Sequence, residues 1–247
     1  MKLFPAALAT PLLLLTACTS GASGTAVSAL RAVPAEGAPA ERVRLDHLVV
    51  GVADLAAGMD AFEQLTGVRP VFGGEHPNLG THNALVSLGD GLYLELIAPR
   101  PDAELSPVFG FLAGLERMTP VMWAVATDDI DGTVARIGAA GLAIGPPMAG
   151  SRRQADGTLL TWRVAGMAAP DDSSVPFLIE WGADAAHPSA TSPSGCELLA
   201  FEVRDPDPER ARALVGLLGL GVGVHRGERP SLAVELRSPR GDVSLGR

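Results

Sequence analysis

Cysteine is nearly missing from this chain: its 247 residues hold two, Cys18 and Cys196. Two cysteines cannot form the disulfide framework that staples small secreted domains. Positive charge is also short. Nineteen Lys and Arg stand against 28 Asp and Glu, a formal net charge of -9. Nucleic acid is therefore excluded as a natural partner, because holding phosphates takes a basic patch. Aromatic residues are scarce, at 4%. GxSxG, GxxxxGK[ST] and HExxH are all absent, which leaves nucleophile-elbow hydrolysis, P-loop phosphate binding and zincin chemistry without support. The N-terminal apolar run from Leu3 to Ala17 is interrupted by Pro5 and Pro11. It is too short to cross a bilayer as a permanent helix.

What is present is a chain that is 47% hydrophobic, enough for one or two domains with a real core. Its 29 glycines and 20 prolines mark many turns. Met1-Lys2 is a minimal positive leader to the apolar run, and the run ends in "LTAC", Leu15 to Cys18. That ending resembles the lipobox of bacterial lipoproteins. It implies a signal peptide over residues 1–17, lipidation at Cys18 and anchorage to a bacterial membrane in the cell envelope. The following "TSGASGTAVSALRAVPAEGAPAE" is dominated by small residues and proline, so residues 18–43 read as a flexible tether.

From Arg44 onward one pattern repeats. In "LDHLVVGVADL", Leu48, Val50 and Val52 fall on one strand face and His47, Val49 and Gly51 on the other. Asp54 is a plausible N-cap. Leu55, Met59, Phe62 and Leu65 follow at helical spacing, and Gly67 is a stop. Extended segments are expected at Arg69–Gly73, His82–Leu88 and Leu92–Ala98, the last pair joined by a "GDG" turn. A second βαβββ unit runs through a strand at Val121–Thr127 and a helix capped by Asp128 or Asp129. Extended pieces at Leu142–Ile144, Leu159–Val164 and Phe177–Trp181 complete it. A third, shorter unit occupies residues 196–247, with Asp207 as N-cap and Pro208 opening its helix. The Ala-, Ser- and Pro-rich stretch Gly182–Gly195 marks a boundary before it. The fold class is α+β. Domains are expected at 44–182, with modules 44–98 and 121–182, and at 196–247.

"LDHLVVGVADL", "HPNLGTHNALVSLGDGLYLELI" and "PFLIEWG" resemble the glyoxalase-like branch of the vicinal oxygen chelate superfamily. The resemblance implies paired βαβββ modules whose sheets curl into a half-open barrel with helices outside. The concave face would bind a divalent metal. It covers residues 44–182 well and the third unit only as a degenerate module.

In that superfamily the metal ligands come from the first and last strands of each module, which implies His47, Glu95 and Glu180 here. Carboxylates in strands as apolar as "YLELI" and "FLIEW" are costly unless a cation or strong donors compensate them. Such a set would suit Zn, Mn, Ni, Co or Fe. At the position of a fourth ligand stands Met122 or Trp123, neither a normal ligand. Nearby, His76, His82 and Asn83 offer a substrate contact, a proton carrier or another ligand, and His82 or Asn83 faces the cavity, one excluding the other. Arg152 and Arg153 are candidates for an anionic group of a substrate, and Trp123 for its wall. Trp162 and Trp181 read as core.

The resemblance implies a lyase or isomerase in which the metal chelates two oxygens of a small molecule. Glu180 or His82 would move the proton. The alternatives are a metal-free protein that sequesters small molecules in the same cavity, and a structural envelope protein. An odd number of modules raises the question of whether the third covers a sheet edge or pairs in a homodimer.

Overall fold

The computed structural model describes residues 42–153, 157–166, 173–183 and 186–246. The expected leader, Cys18 and nearly all of the tether lie outside the described residues. None of the described helices is long and apolar enough to cross a membrane.

The first module runs β1 (Arg44–Gly51), α1 (Leu55–Thr66), β2 (Val71–His76), β3 (Thr81–Gly89) and β4 (Leu92–Pro99). Asp54 accepts the Ala57 N–H at the start of α1, and Gly67 ends it at φ 80°, where only glycine is unstrained. The helix lays Leu55 and Phe62 on the sheet, while Leu65 stays exposed. The second module has β5 (Thr119–Ala126), α2 (Ile130–Ala139), β6 (Met148–Arg153), β7 (Leu159–Ala165) and β8 (Phe177–Trp181). Asp129, not Asp128, caps α2 through the Gly132 N–H. The extended piece expected at Leu142–Ile144 is not a strand; the outermost strand lies later, in the polar "MAGSRR" of β6. A 3-10 helix, Pro107–Gly114, joins the modules and buries Phe109 and Leu112.

These strands form one eight-stranded sheet in the order β2-β3-β4-β1-β5-β8-β7-β6. The order is symmetric about the β1–β5 pair, as two copies of one module side by side require. β1 pairs parallel with β4, and β5 parallel with β8. The sheet curls until β2 lies against β6, so the barrel is nearly closed.

A short helix α3 (Pro188–Thr191) leads into a second sheet of β9 (Glu197–Asp205), β10 (Gly223–Arg226), β11 (Ser231–Ser238) and β12 (Gly241–Leu245), carrying α4 (Glu209–Leu217). The last helix starts one residue later than expected, with Pro208 rather than Asp207 at the cap. This module covers a face of the barrel, not an edge. Phe201, Val203, Leu232, Val234 and Leu236 join Leu48, Val50, Leu94, Leu96, Trp123 and Val125 in one hydrophobic core. Phe201 meets Trp123 edge-on at 5.2 Å. Each strand of the barrel centre thus turns one apolar face outward to this core and its other face inward to a smaller cluster.

Candidate active site

The inward face gathers titratable side chains around a cavity. In the β1–β4 ladder His47 stands opposite Tyr93 and Val49 opposite Glu95, so these side chains share one face. Together with His76, Asn83, Met122, Arg152, Trp162, Phe177, Ile179 and Trp181, they line a cavity of about 70 Å³ inside the barrel. By the same measure a water needs roughly 10–15 Å³, so the space takes several waters or one small organic fragment.

His47 is held from several sides. It stacks on Tyr93 at 4.5 Å and meets Phe177 edge-on at 5.3 Å. Its Nδ1 lies 2.8 Å from Asp46 Oδ2, and its Nε2 lies 3.6 Å from Glu95 Oε2. Glu95 Oε1 accepts a hydrogen bond from Asn83 Nδ2 at 2.8 Å. Asp46 is fully buried. A register slip between Leu45 and His47 lets Asp46 reach back to its neighbour's ring. His187 Nε2 at 3.0 Å and the Trp181 indole N–H at 3.2 Å also converge on its carboxylate. Burial alone would raise the Asp46 pKa; the hydrogen bonds from His187 and His47 and the charges of those rings outweigh it, and the carboxyl is held well below the usual carboxylate range. An ionised Asp46 has only acceptors, so the short contact places a proton on His47 Nδ1.

His76 bonds Thr81 Oγ1 through Nδ1 at 3.0 Å and sits edge-on to Trp162. Burial lowers its pKa; Glu95 opposes this, while Arg152 and His47 add to it. Burial also pulls the Arg152 guanidinium down from its ordinary value, against Glu95 and Tyr93. Burial, Glu95 and Asp46 push the Tyr93 phenol up.

The expected residues divide. His47, Glu95, His76, Asn83 and Arg152 meet at the cavity. Glu180 does not join them: Ile179 and Trp181 line the cavity, so the residue between them faces the other way. Glu180 pairs instead with Arg163 at 3.2 Å, and Arg163 with Asp131. Symmetry explains the miss. Setting the caps Asp54 and Asp129 in register puts Met122 at the place of His47 and Ala124 at that of Val49. Val49 pairs with Glu95, but Ala124 pairs with Phe177. The second module's counterparts of His47 and Glu95 are therefore Met122 and Phe177, both apolar. His82, neighbour of the inward Asn83, lies outside against Phe72. Trp123 is buried in the outer core, and Arg153 is exposed, bonding Gly157 O. Trp162 and Trp181, expected in the core, form cavity wall.

Two residues of the site, Asp46 and His187, are not among the expected ones. An aspartate beside a histidine in an otherwise apolar strand was the available signal for the first. Nothing in the Ala- and Pro-rich linker marks the second.

A metal in this cavity would rest on His47 and Glu95. Bonds of about 2.0–2.2 Å place two donors of one ion roughly 3–3.5 Å apart, close to the 3.6 Å between His47 Nε2 and Glu95 Oε2. The set is not completed. Among the described residues no group of three or more His, Cys, Asp or Glu side chains is disposed to hold an ion. The second module offers Met122 and Phe177, and the buried Arg152 cation shares the cavity. The residues do not fit the expected metal set of His47, Glu95 and Glu180.

A family model described as a glyoxalase-like domain matches residues 45–218. The crystal structure of a hypothetical protein from Staphylococcus aureus superposes with a TM-score of 0.62 at 12% identity, over 83% of this chain and 99% of that one. That likeness is one of fold. Methylmalonyl-CoA epimerase from Mycobacterium tuberculosis overlaps partially, with a TM-score of 0.38 and 18% identity over 56% of this chain and 86% of its own. The Streptomyces coelicolor methylmalonyl-CoA epimerase in complex with 2-nitronate-propionyl-CoA gives 0.39 and 22%, over 57% and 98%. No curated protein sequence matches the chain.

Proposed function

Because this chain belongs to the glyoxalase-like domain family, we propose that its barrel cavity takes up a small, largely apolar, oxygen-bearing molecule and that His47 exchanges a proton with it. The observation that carries this reading is the pair Asp46–His47. Asp46 occupies the Nδ1–H of the ring, which leaves Nε2 as the nitrogen free to accept a proton. Asp46 then stabilises the imidazolium that forms, the part an aspartate plays behind any histidine base. Glu95, at 3.6 Å from Nε2, adds a second negative charge beside it.

A C–H next to a carbonyl is the substrate bond this arrangement suits. The proton passes from carbon to Nε2, and the C–H electron pair moves into the carbonyl as an enolate. Return of the proton to another carbon is isomerisation; loss of a group from the neighbouring carbon is a lyase reaction. The proton transfer needs only His47, Asp46 and Glu95, and the second module supplies Met122 and Phe177 where further metal donors would stand.

The test is deuterium wash-in from D2O into a panel of small 2-oxo acids, aldehydes and 1,2-dicarbonyl compounds, with EDTA present. The expected result is exchange above buffer for at least one compound, reduced about 100-fold or more by His47→Gln, the size of a general-base contribution. Exchange that survives His47→Gln intact, or that EDTA abolishes, contradicts the proposal.

A second reading, sequestration without turnover, is favoured by one observation: most of the cavity wall is aliphatic or aromatic, from Val49 and Ile97 to Trp181. Binding without exchange in the same panel selects it. For location, we propose a lipid anchor at Cys18 holding the protein to a bacterial envelope membrane. The support is the sequence "LTAC" after an apolar run. Metabolic labelling with a fatty-acid alkyne tests it: label and membrane fractionation are expected in the native chain and lost in Cys18→Ala.

A further inference from the structure

Arg152 is a buried cation without an ion-pair partner among the described residues. It is 6% exposed. One of its five N–H donors goes to the Gly73 carbonyl across the seam between β2 and β6. Among the described residues no carboxylate lies within ion-pair distance of it. The contrast with more accessible arginines is plain: Arg69, Arg100, Arg163 and Arg212 each hold a carboxylate. Glu95, the carboxylate nearest in effect, is taken by Asn83 and flanks His47. The remaining Arg152 donors reach the cavity or the groove, since no Arg152 nitrogen is among the described buried atoms lacking a partner, and an anion that meets them there satisfies the largely buried guanidinium best.

The surrounding backbone accommodates this side chain. A Cβ at Gly73 would collide with Asn83 Oδ1. One at Gly74 would come within 2.9 Å of the Arg153 carbonyl and 3.2 Å of Arg152 Nη1, and Gly74 has φ 147°. Two successive glycines thus thin β2 at the point where Arg152 crosses the seam. Arg152 alone lines both the inner cavity and the groove outside the seam. That groove exposes Phe72 and Leu159, at 44% and 50%. Its one acidic residue among the described residues, Glu75, is engaged by Arg100 at 3.3 Å.

We infer that Arg152 is the anion-binding residue of this cavity and that the molecule it serves is a small carboxylic acid with an apolar body. The guanidinium grips the carboxylate by paired hydrogen bonds, and the apolar remainder extends into the cavity toward His47. This assignment rests on the cavity being a small-molecule site, as proposed above, and adds the charge of its occupant.

Matched acids and primary amides of one skeleton test it: benzoate against benzamide, 3-methylbutanoate against 3-methylbutanamide. The readout is the indole N–H signals in NMR titration of the full chain. Trp162 and Trp181 line the cavity, and Trp123 in the outer core is the internal control. The acids are expected to bind at least ten-fold more tightly than the amides. Arg152→Gln should erase that gap by weakening the acids alone, and Arg153→Gln should leave it. Amides binding as tightly as acids would overturn the inference and leave the cavity reading standing. If neither class moves the Trp162 and Trp181 signals, the cavity reading falls and the inference with it. Should Arg152→Gln fail to fold, Arg152→Lys must retain the acid preference; its loss there also overturns the assignment.

Discussion

Replacing Asp46 by Asn tests the framework of the site more sharply than any change at the cavity surface. The native carboxylate is fully buried and accepts from His47 at 2.8 Å, His187 at 3.0 Å and Trp181 at 3.2 Å. An amide of the same shape offers one oxygen and turns an N–H2 toward the remaining donors. At least one imidazole must then lose its bond or move its proton to the other nitrogen. Removing one partner from a buried charged set costs about 3–5 kcal/mol, a large part of the roughly 5–15 kcal/mol that holds a domain folded. For a chain of this size about 1 kcal/mol moves Tm by roughly 2–4 °C, so a drop of about 6–20 °C follows. Urea unfolding at pH 8 with an unchanged slope measures the free-energy loss, and a thermal scan the drop in Tm. The Asp46 pKa is depressed in the folded state, so its contribution is whole above the unfolded value of 3.8 and is lost as pH falls below that. The gap between native and Asp46→Asn should therefore narrow below about pH 4. Asp54→Ala, which removes the α1 cap, is the control at about 1 kcal/mol. A cost for Asp46→Asn no larger than that control refutes the reasoning.

His76 is kept neutral when folded, first by burial, while the unfolded ring titrates near 6.5. Stability is therefore full above pH 6.5 and falls as pH drops through 6.5 toward the folded value; His76→Gln should flatten urea midpoints compared between pH 7.5 and 5.5. Glu180→Gln should cost less than about 1 kcal/mol and leave ligand binding in the cavity untouched, because Glu180 and Arg163 side chains are 26% and 42% exposed and face away. Phe201→Ala should cost about 3–5 kcal/mol and red-shift Trp123 emission, since Phe201 packs on that ring; a change within error would mean that the third module does not seal the outer face.

Much of the architecture was written in local signals. Alternation in "LDHLVVGV", the cap Asp54, the pair Asp128-Asp129 and the stop at Gly67 place both modules' first strands and helices where they are found. What failed was chiefly non-local or weakly patterned. β6 is polar and lacks β-branched residues, so nothing local distinguishes it from a loop. Glu180, which the structure places away from the cavity, was matched to Glu95 as one glutamate to another. The ladders align Glu95 with Phe177, and Ile179 and Trp181 cannot both face inward without turning Glu180 out. Asp46 was masked by a register slip, and His187 by a linker without pattern. Arg152 and Arg153 are neighbours of identical chemistry, and only the seam with Gly73 and Gly74 decides which one is buried.

The proposed function turns on Asp46 fixing the proton of His47 on Nδ1 and so freeing Nε2 to work in the cavity. Long-range 15N–1H correlation of the His47 ring at pH 8 measures this directly. The account predicts a protonated Nδ1 and a bare Nε2 in the native chain, and a disturbed tautomer in Asp46→Asn. A proton on Nε2 in the native chain, unchanged by Asp46→Asn, would contradict it.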